Sequence, residues 1–207
     1  MTGILGKDKL GSFRLGVSNA LKLITDRTQA DRDRAEELSL KEYSDLTKKE
    51  KAEWDAGLKG AYNASDLNRV ENAVEMLAKI LRGLPAELQS YAAVYGVAWD
   101  AFFDVPYNPT DYAPQVKTDW TPADIQSPED MERYLQNVIL LRGVLEYASA
   151  ALPERMEDLT WQGANAIESA LVGLDAAIKA LRKEIKAHID ATAAAWHYSG
   201  ELYAGEV

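Results

Sequence analysis

No cysteine occurs in the 207 residues, so neither a disulfide framework nor a thiolate metal site can form, and packing alone must hold the fold. Histidine is almost as scarce, with His188 and His197 the only two. Basic charge is short as well: 23 Lys and Arg face 33 Asp and Glu, a net charge of −10, and the acids are spread along the chain. That balance argues against nucleic acid, because phosphate binding needs a basic surface to release counterions, and against an anionic membrane. No segment approaches the ~20 apolar residues of a membrane span. Residues 1–24 carry Lys7, Lys9 and Arg14 and lack the unbroken apolar run of ~7–15 residues that marks a secretion signal. A chain made and kept soluble inside a cell is the expectation. Gly3, Gly6, Gly11 and Gly16 lack the spacing and the lysine of a phosphate loop, and no serine stands in a nucleophile elbow.

What the chain does have is 47% hydrophobic residues, enough for a packed core, and a pattern that occurs twice. Thr25-Asp26-Arg27-Thr28-Gln29-Ala30-Asp31 returns as Thr118-Asp119-Trp120-Thr121-Pro122-Ala123-Asp124, 93 residues on. Leu67-Asn68-Arg69-Val70-Glu71 returns more loosely as Ala164-Asn165-Ala166-Ile167-Glu168, 97 residues on. Two copies of one helical unit, separated by small insertions, account for both offsets.

Helix starts punctuate the first copy, each pairing a capping side chain with an acid three residues later: Thr28 with Asp31, Thr47 with Glu50, and Asn63 with Asp66. After the third, Leu67, Val70, Val74, Leu77 and Leu81 recur at helical steps until Gly83 and Pro85, where the helix is expected to stop. In the second copy Ser127-Pro128-Glu129-Asp130 opens a helix lined by Met131, Tyr134, Leu135, Val138, Leu141 and Leu145, interrupted at Leu152-Pro153. A last helix, from near Thr160 to about Trp196, carries Ile167, Leu171, Leu174, Ile178, Leu181, Ile185 and His188 in a heptad seam. Such a seam either closes an intramolecular bundle or self-associates.

Between the copies, residues 91–120 mix Tyr91, Tyr95, Trp99, Phe102, Phe103, Tyr107, Tyr112 and Trp120 with Pro106, Pro109 and Pro114. The prolines exclude one continuous helix, and the aromatics exclude a disordered linker, so an ordered crossover packed on the helices or on a neighbouring subunit is expected. The aromatic end, residues 196–207, breaks from the helix in this reading and docks on a neighbour or on its own bundle. The expected organisation is an N-terminal helical unit (1–90), the crossover (91–120), a C-terminal helical unit (121–195) and an aromatic tail (196–207). Together these make an all-α helical bundle of two related helical units with a long C-terminal heptad-patterned helix.

Tyr62-Asn63 with Asp66-Leu67-Asn68-Arg69-Val70-Glu71, Thr118-Asp119-Trp120-Thr121 with Ala123-Asp124, and Tyr198-Ser199-Gly200-Glu201 with Tyr203-Ala204-Gly205-Glu206 resemble small structural proteins from the tail and baseplate genes of tailed bacteriophages and prophages of Gram-positive bacteria. The resemblance covers three short motifs; the second copy departs from it, with Ala164 and Ala166 in place of leucine and arginine. It implies a virion structural protein that carries out no reaction, binds no cofactor and is made in the host bacterial cytoplasm. Its partners would be itself, as a homo-oligomer, and other phage structural proteins, without nucleic acid or membrane.

Candidates for chemistry are few. Glu184 and His188, four residues apart on one helix face, could offer a metal two ligands, which do not make a site. Acidic pairs such as Asp31 and Asp33, Glu36 and Glu37, or Glu157 and Asp158 could suit general acid and base work on a cell wall, but each falls beside a helix start or on a polar face, where solvation is the ordinary explanation. Asn68 and Asn165, each three residues before a glutamate, read as buried polar contacts that fix how two helices meet, with recognition of an outside partner as the alternative. The partner-binding residues expected from the seam and the tail are Leu174, Ile178, Leu181, Ile185, Trp196, Tyr198 and Tyr203. A non-enzymatic assembly role leads; a host-directed helical adaptor or regulator and a cell-wall hydrolase are the alternatives.

Overall fold

A computed structural model describes residues 22–99 and 104–204, with side chains to residue 196. The chain is an all-α helical bundle. In order, α1 spans Gln29–Ser39, a single 3₁₀ turn Tyr43–Asp45, α2 Lys48–Asp55, α3 Ala64–Val94, α4 Pro128–Arg142 and α5 Trp161–Ala204. The expected capping boxes are all present: Thr28 with Asp31 opens α1, Thr47 with Glu50 opens α2, and Asn63 with Asp66 opens α3. Ser127 caps α4, with Pro128 in its first turn. At the start of α5 the Thr160 hydroxyl accepts from Gly163 N–H at 3.1 Å, in the place that Asn63 holds before α3.

The two long helices form the spine. Arg69 with Glu168, Glu87 with Lys186, and Tyr91 with Asp190 bridge them, each pair separated by 99 residues, so α3 and α5 run parallel and in register. α4 packs against both. The shared core comprises Leu67, Val70, Val74, Leu77, Leu81, Leu84 and Leu88 of α3, Tyr134, Leu135, Val138 and Leu141 of α4, and Ile167, Leu171, Leu174, Ile178, Ile185 and Ile189 of α5. Burying each of these aliphatic side chains contributes about 1.5–3 kcal/mol, which dwarfs local propensity. α1 and α2 make a smaller hairpin around Arg34, whose guanidinium meets Glu53 at 2.8 Å and Glu37 at 2.7 Å.

Three expectations about helix ends and faces are corrected. Gly83 and Pro85 do not stop α3, which runs on to Val94. Leu84, Leu88 and Ala92 continue the buried stripe past the proline, and the carbonyl of Leu81, to which a residue 85 N–H would have donated, accepts instead from the Tyr107 hydroxyl at 2.9 Å. The crossover therefore begins after Val94, at Tyr95. Its ordered packing on the helices is seen at Trp99, Tyr107, Tyr112 and Val116, with Val105 and Trp120 buried in the core; Phe102 and Phe103 lie outside the described residues. The chain does not leave the helix at Trp196, because α5 continues to Ala204.

The heptad seam also shifts. His188 is exposed and Ile189 is fully buried, because a straight helix turns in 3.6 residues and the buried line moves from Ile185 to Ile189 and then Ala193. His188 is thus off the core, and no polar residue at that seam position sets a register.

Candidate functional site

Two asparagines, one near the start of each long helix, grip extended chain from the opposite half. Asn68 on α3 donates from Nδ2 to the Trp120 carbonyl and accepts at Oδ1 from the Trp120 N–H, both at 2.7 Å. Asn165 on α5 does the same to Arg27, both at 2.9 Å. A primary amide presents a donor and an acceptor side by side, so each asparagine pairs with a backbone residue as a neighbouring strand would. One helical turn further on stands a glutamate on the same face. Glu71 accepts from Lys117 N–H and Glu168 accepts from Ile24 N–H, in each arm three residues before the gripped residue. Beyond the grip, Thr28 donates N–H and hydroxyl to Asp31, and Thr121 donates both to Asp124.

The two arrangements are the same construction made twice, with equivalent positions 93 residues apart in the arms and 97 apart in the helices. They are also exchanged. The arm before α1 lies on α5, and the arm at the end of the crossover lies on α3, so the halves are interleaved rather than placed side by side. The asparagines pin an arm to a helix, and do not fix one helix against another as the sequence suggested.

The copies differ in what surrounds each glutamate. Around Glu168, which is fully buried, Arg27 Nη2 donates to Oε1 at 2.7 Å, and Arg69 donates to Oε1 at 2.8 Å and Oε2 at 3.0 Å. Asp66 completes this cluster, accepting from both arginines. The buried Arg27 also reaches the Lys59 and Ile24 carbonyls and stacks over Tyr62, whose hydroxyl bonds that of Tyr134. Around Glu71 the cation is Arg133, which also donates to Gln115 O. A third amide grip, Asn137 on Gln115 N–H and C=O at 3.2 and 2.7 Å, extends the second arm's attachment. Where the first arm buries Arg27, the second buries Trp120, whose ring carries Lys117 Nζ 4.5 Å from its centroid.

These environments set the acid–base character of the groups. Burial raises the Glu71 carboxyl above the ordinary glutamate value, with the Lys117 N–H and Arg133 pulling the other way. Burial likewise raises the hydroxyls of Tyr62 and Tyr134. Asp31 is lowered by its bonds from Thr28, and Asp124 by the backbone and hydroxyl of Thr121. Glu168 is filled by four donors from its own chain, which leaves no lone pair turned toward a substrate or an ion.

The other sequence candidates fall elsewhere. Leu174, Ile178 and Ile185 are buried inside the chain and Leu181 packs against the same core, so the seam closes within one molecule. Trp196 is 52% exposed near the end of α5. Tyr198 and Tyr203 lie on the same helix, with side chains outside the described residues, and residues 1–21 and 205–207 are also outside. Glu184 and His188 are both exposed, and among the described residues no three His, Asp or Glu side chains group as metal ligands. Of the acidic pairs, Asp31 caps α1, Glu37 pairs with Arg34 and Lys41, and Asp158 with Arg155. No described helix is long and apolar enough to cross a membrane. The central role of Arg27 and Glu168 was missed; its one legible signal was the repeated Asn-x-x-Glu spacing. Comparison with family models, curated proteins and solved structures finds no match to this chain.

Proposed function

We propose that this chain is a non-enzymatic structural or adaptor component of a tailed-phage virion, in the tail, baseplate or neck, acting through protein–protein assembly. One observation carries the reading: the asparagine and glutamate of each half are engaged in locking an arm onto a helix, a use that gives rigidity and leaves the Glu168 carboxylate saturated. The two matching locks favour one ancestral unit, duplicated and fused. The second arm, at Thr118-Asp119-Trp120-Thr121, and the start of α3, at Asp66-Leu67-Asn68-Arg69-Val70-Glu71, resemble the motifs of phage tail and baseplate proteins. Ile125, Leu40, Val94 and Trp196, at 91, 82, 80 and 52% exposure, provide apolar points for contact with copies of the chain or neighbouring proteins.

The test is quantitative mass spectrometry of purified particles induced from the source strain, reading the ratio of this chain to the tail-tube protein. A fixed small multiple is the expected result. Absence from particles with abundance in the lysate overturns the virion reading in favour of a host-directed adaptor, and clearing of host peptidoglycan in a zymogram overturns the non-enzymatic one.

A further inference from the structure

Against its net charge of −10, the chain concentrates positive charge on one stretch of α5. Lys179, Arg182, Lys183 and Lys186, together with Ala187 and Asp190, line an open groove of about 470 Å³. The groove's cations exceed the carboxylates that meet them. Lys179 has Asp175 at 2.9 Å, but Arg182 and Lys186 share the single carboxylate of Glu87, at 3.1 and 2.9 Å, and Lys183 is exposed with no ion-pair partner among the described residues. Asp190 accepts from the Tyr91 hydroxyl, while the Tyr91 ring holds Lys186 Nζ 4.8 Å from its centroid. Arg182 Nε is buried without a hydrogen-bond acceptor among the described residues. Four cations therefore face three carboxylates, Asp175, Glu87 and Asp190, an excess of positive charge in a molecule whose net charge is −10.

We propose that this groove is a docking site for a short carboxylate-rich segment of a partner polypeptide. The inference rests on the assembly reading and gives it a contact surface. From Lys179 to Lys186 the helix rises about 10 Å, at ~1.5 Å per residue, which suits two or three carboxylates and not a long polyanion. A nucleic acid longer than the groove would run onto the rest of a chain whose net charge is −10, where like charge repels it. Aspartate or glutamate side chains meet the same cations over a short span, with Lys183 as the first contact because no described carboxylate pairs with it.

The experiment titrates the full chain into a dye-labelled ten-residue polyglutamate peptide, read by fluorescence anisotropy at low and at moderate salt. Unlabelled polyglutamate, a ten-nucleotide polythymidine and inorganic phosphate serve as competitors. Saturable binding that weakens with salt and falls at least about tenfold in Lys179→Glu/Lys183→Glu is expected. Lys48→Glu/Lys49→Glu, which makes the same charge change on the exposed start of α2, should bind as the parent does. No binding at low salt, equal loss in both double variants, or preferential competition by polythymidine or phosphate would each overturn the proposal. Far-UV circular dichroism checks that the variants keep their helices. Since the particle measurement reads presence and copy number, failure of this groove leaves that result untouched, and the two readings fail separately.

Discussion

Replacing Asn68 with alanine is the sharpest probe of the interleaved arms. The change removes the donor to Trp120 O and the acceptor for Trp120 N–H, both at 2.7 Å, while the main chain of α3 keeps its helix. Trp120 is only 5% exposed, so water does not readily replace the lost partners. A buried backbone group left unpaired costs about 1–3 kcal/mol, and two on one residue, partly relieved by local shifts, cost about 3 kcal/mol. With a urea slope of about 2 kcal/mol/M, the unfolding midpoint should fall by about 1.5 M. Asn165→Ala should lose a similar amount, because Arg27 is 2% exposed and held by the same two bonds. Asn68→Asp keeps the acceptor but turns a carboxylate oxygen toward the Trp120 carbonyl, so it should be no better than alanine. The assay is urea unfolding followed by helical circular dichroism, with the slope checked for constancy. If both alanine variants stay within about 0.5 kcal/mol of the parent, the grips do not hold the arms, and a large loss at only one site refutes their equivalence.

Other outcomes follow from particular contacts. Tyr107→Phe removes the hydroxyl that serves Leu81 O above Pro85 and should cost about 1 kcal/mol; in a Pro85→Ala background the new N–H supplies that carbonyl, so a double-mutant cycle should show the cost shrinking by at least about 0.5 kcal/mol, and strict additivity would refute the substitution of one donor for the other. Gly60→Ala places a Cβ 1.9 Å from Asp31 O and 2.2 Å from Asp31 C, backbone atoms that cannot turn aside, so α1 must move and the thermal midpoint should drop with a loss of about 2–3 kcal/mol; an unchanged midpoint would refute that close approach. Glu71 in the folded chain keeps its proton to higher pH than in the unfolded chain, so the native state binds more protons and this group's contribution to stability falls as pH rises from the ordinary glutamate value of 4.5 through the raised one. Subtracting the Glu71→Gln stability profile from that of the parent should reveal this falling slope, against the opposite contribution of Asp31 and Asp124, which is lost as pH falls; a flat difference would refute the burial effect.

The sequence by itself determined where helices begin, because a capping oxygen and an acid three residues later satisfy local backbone groups without help from afar. It determined the all-α class through apolar spacing, and the doubling of the unit through Asn68 to Glu71 and Asn165 to Glu168. Tertiary structure decided the rest. Whether α3 ends at Pro85 depended on a tyrosine 22 residues later and on leucines that a core was waiting to bury. Whether the α5 seam faced another molecule depended on α3 lying parallel beside it, which no spacing within α5 records. Which arm each asparagine grips is a contact across 52 or 138 residues, and such pairings are set by the closure of the whole bundle rather than by any local preference. Glu168 looks in the sequence like one of many acids on a helix; only the meeting of Arg27, Arg69 and the first arm makes it the buried centre of the fold.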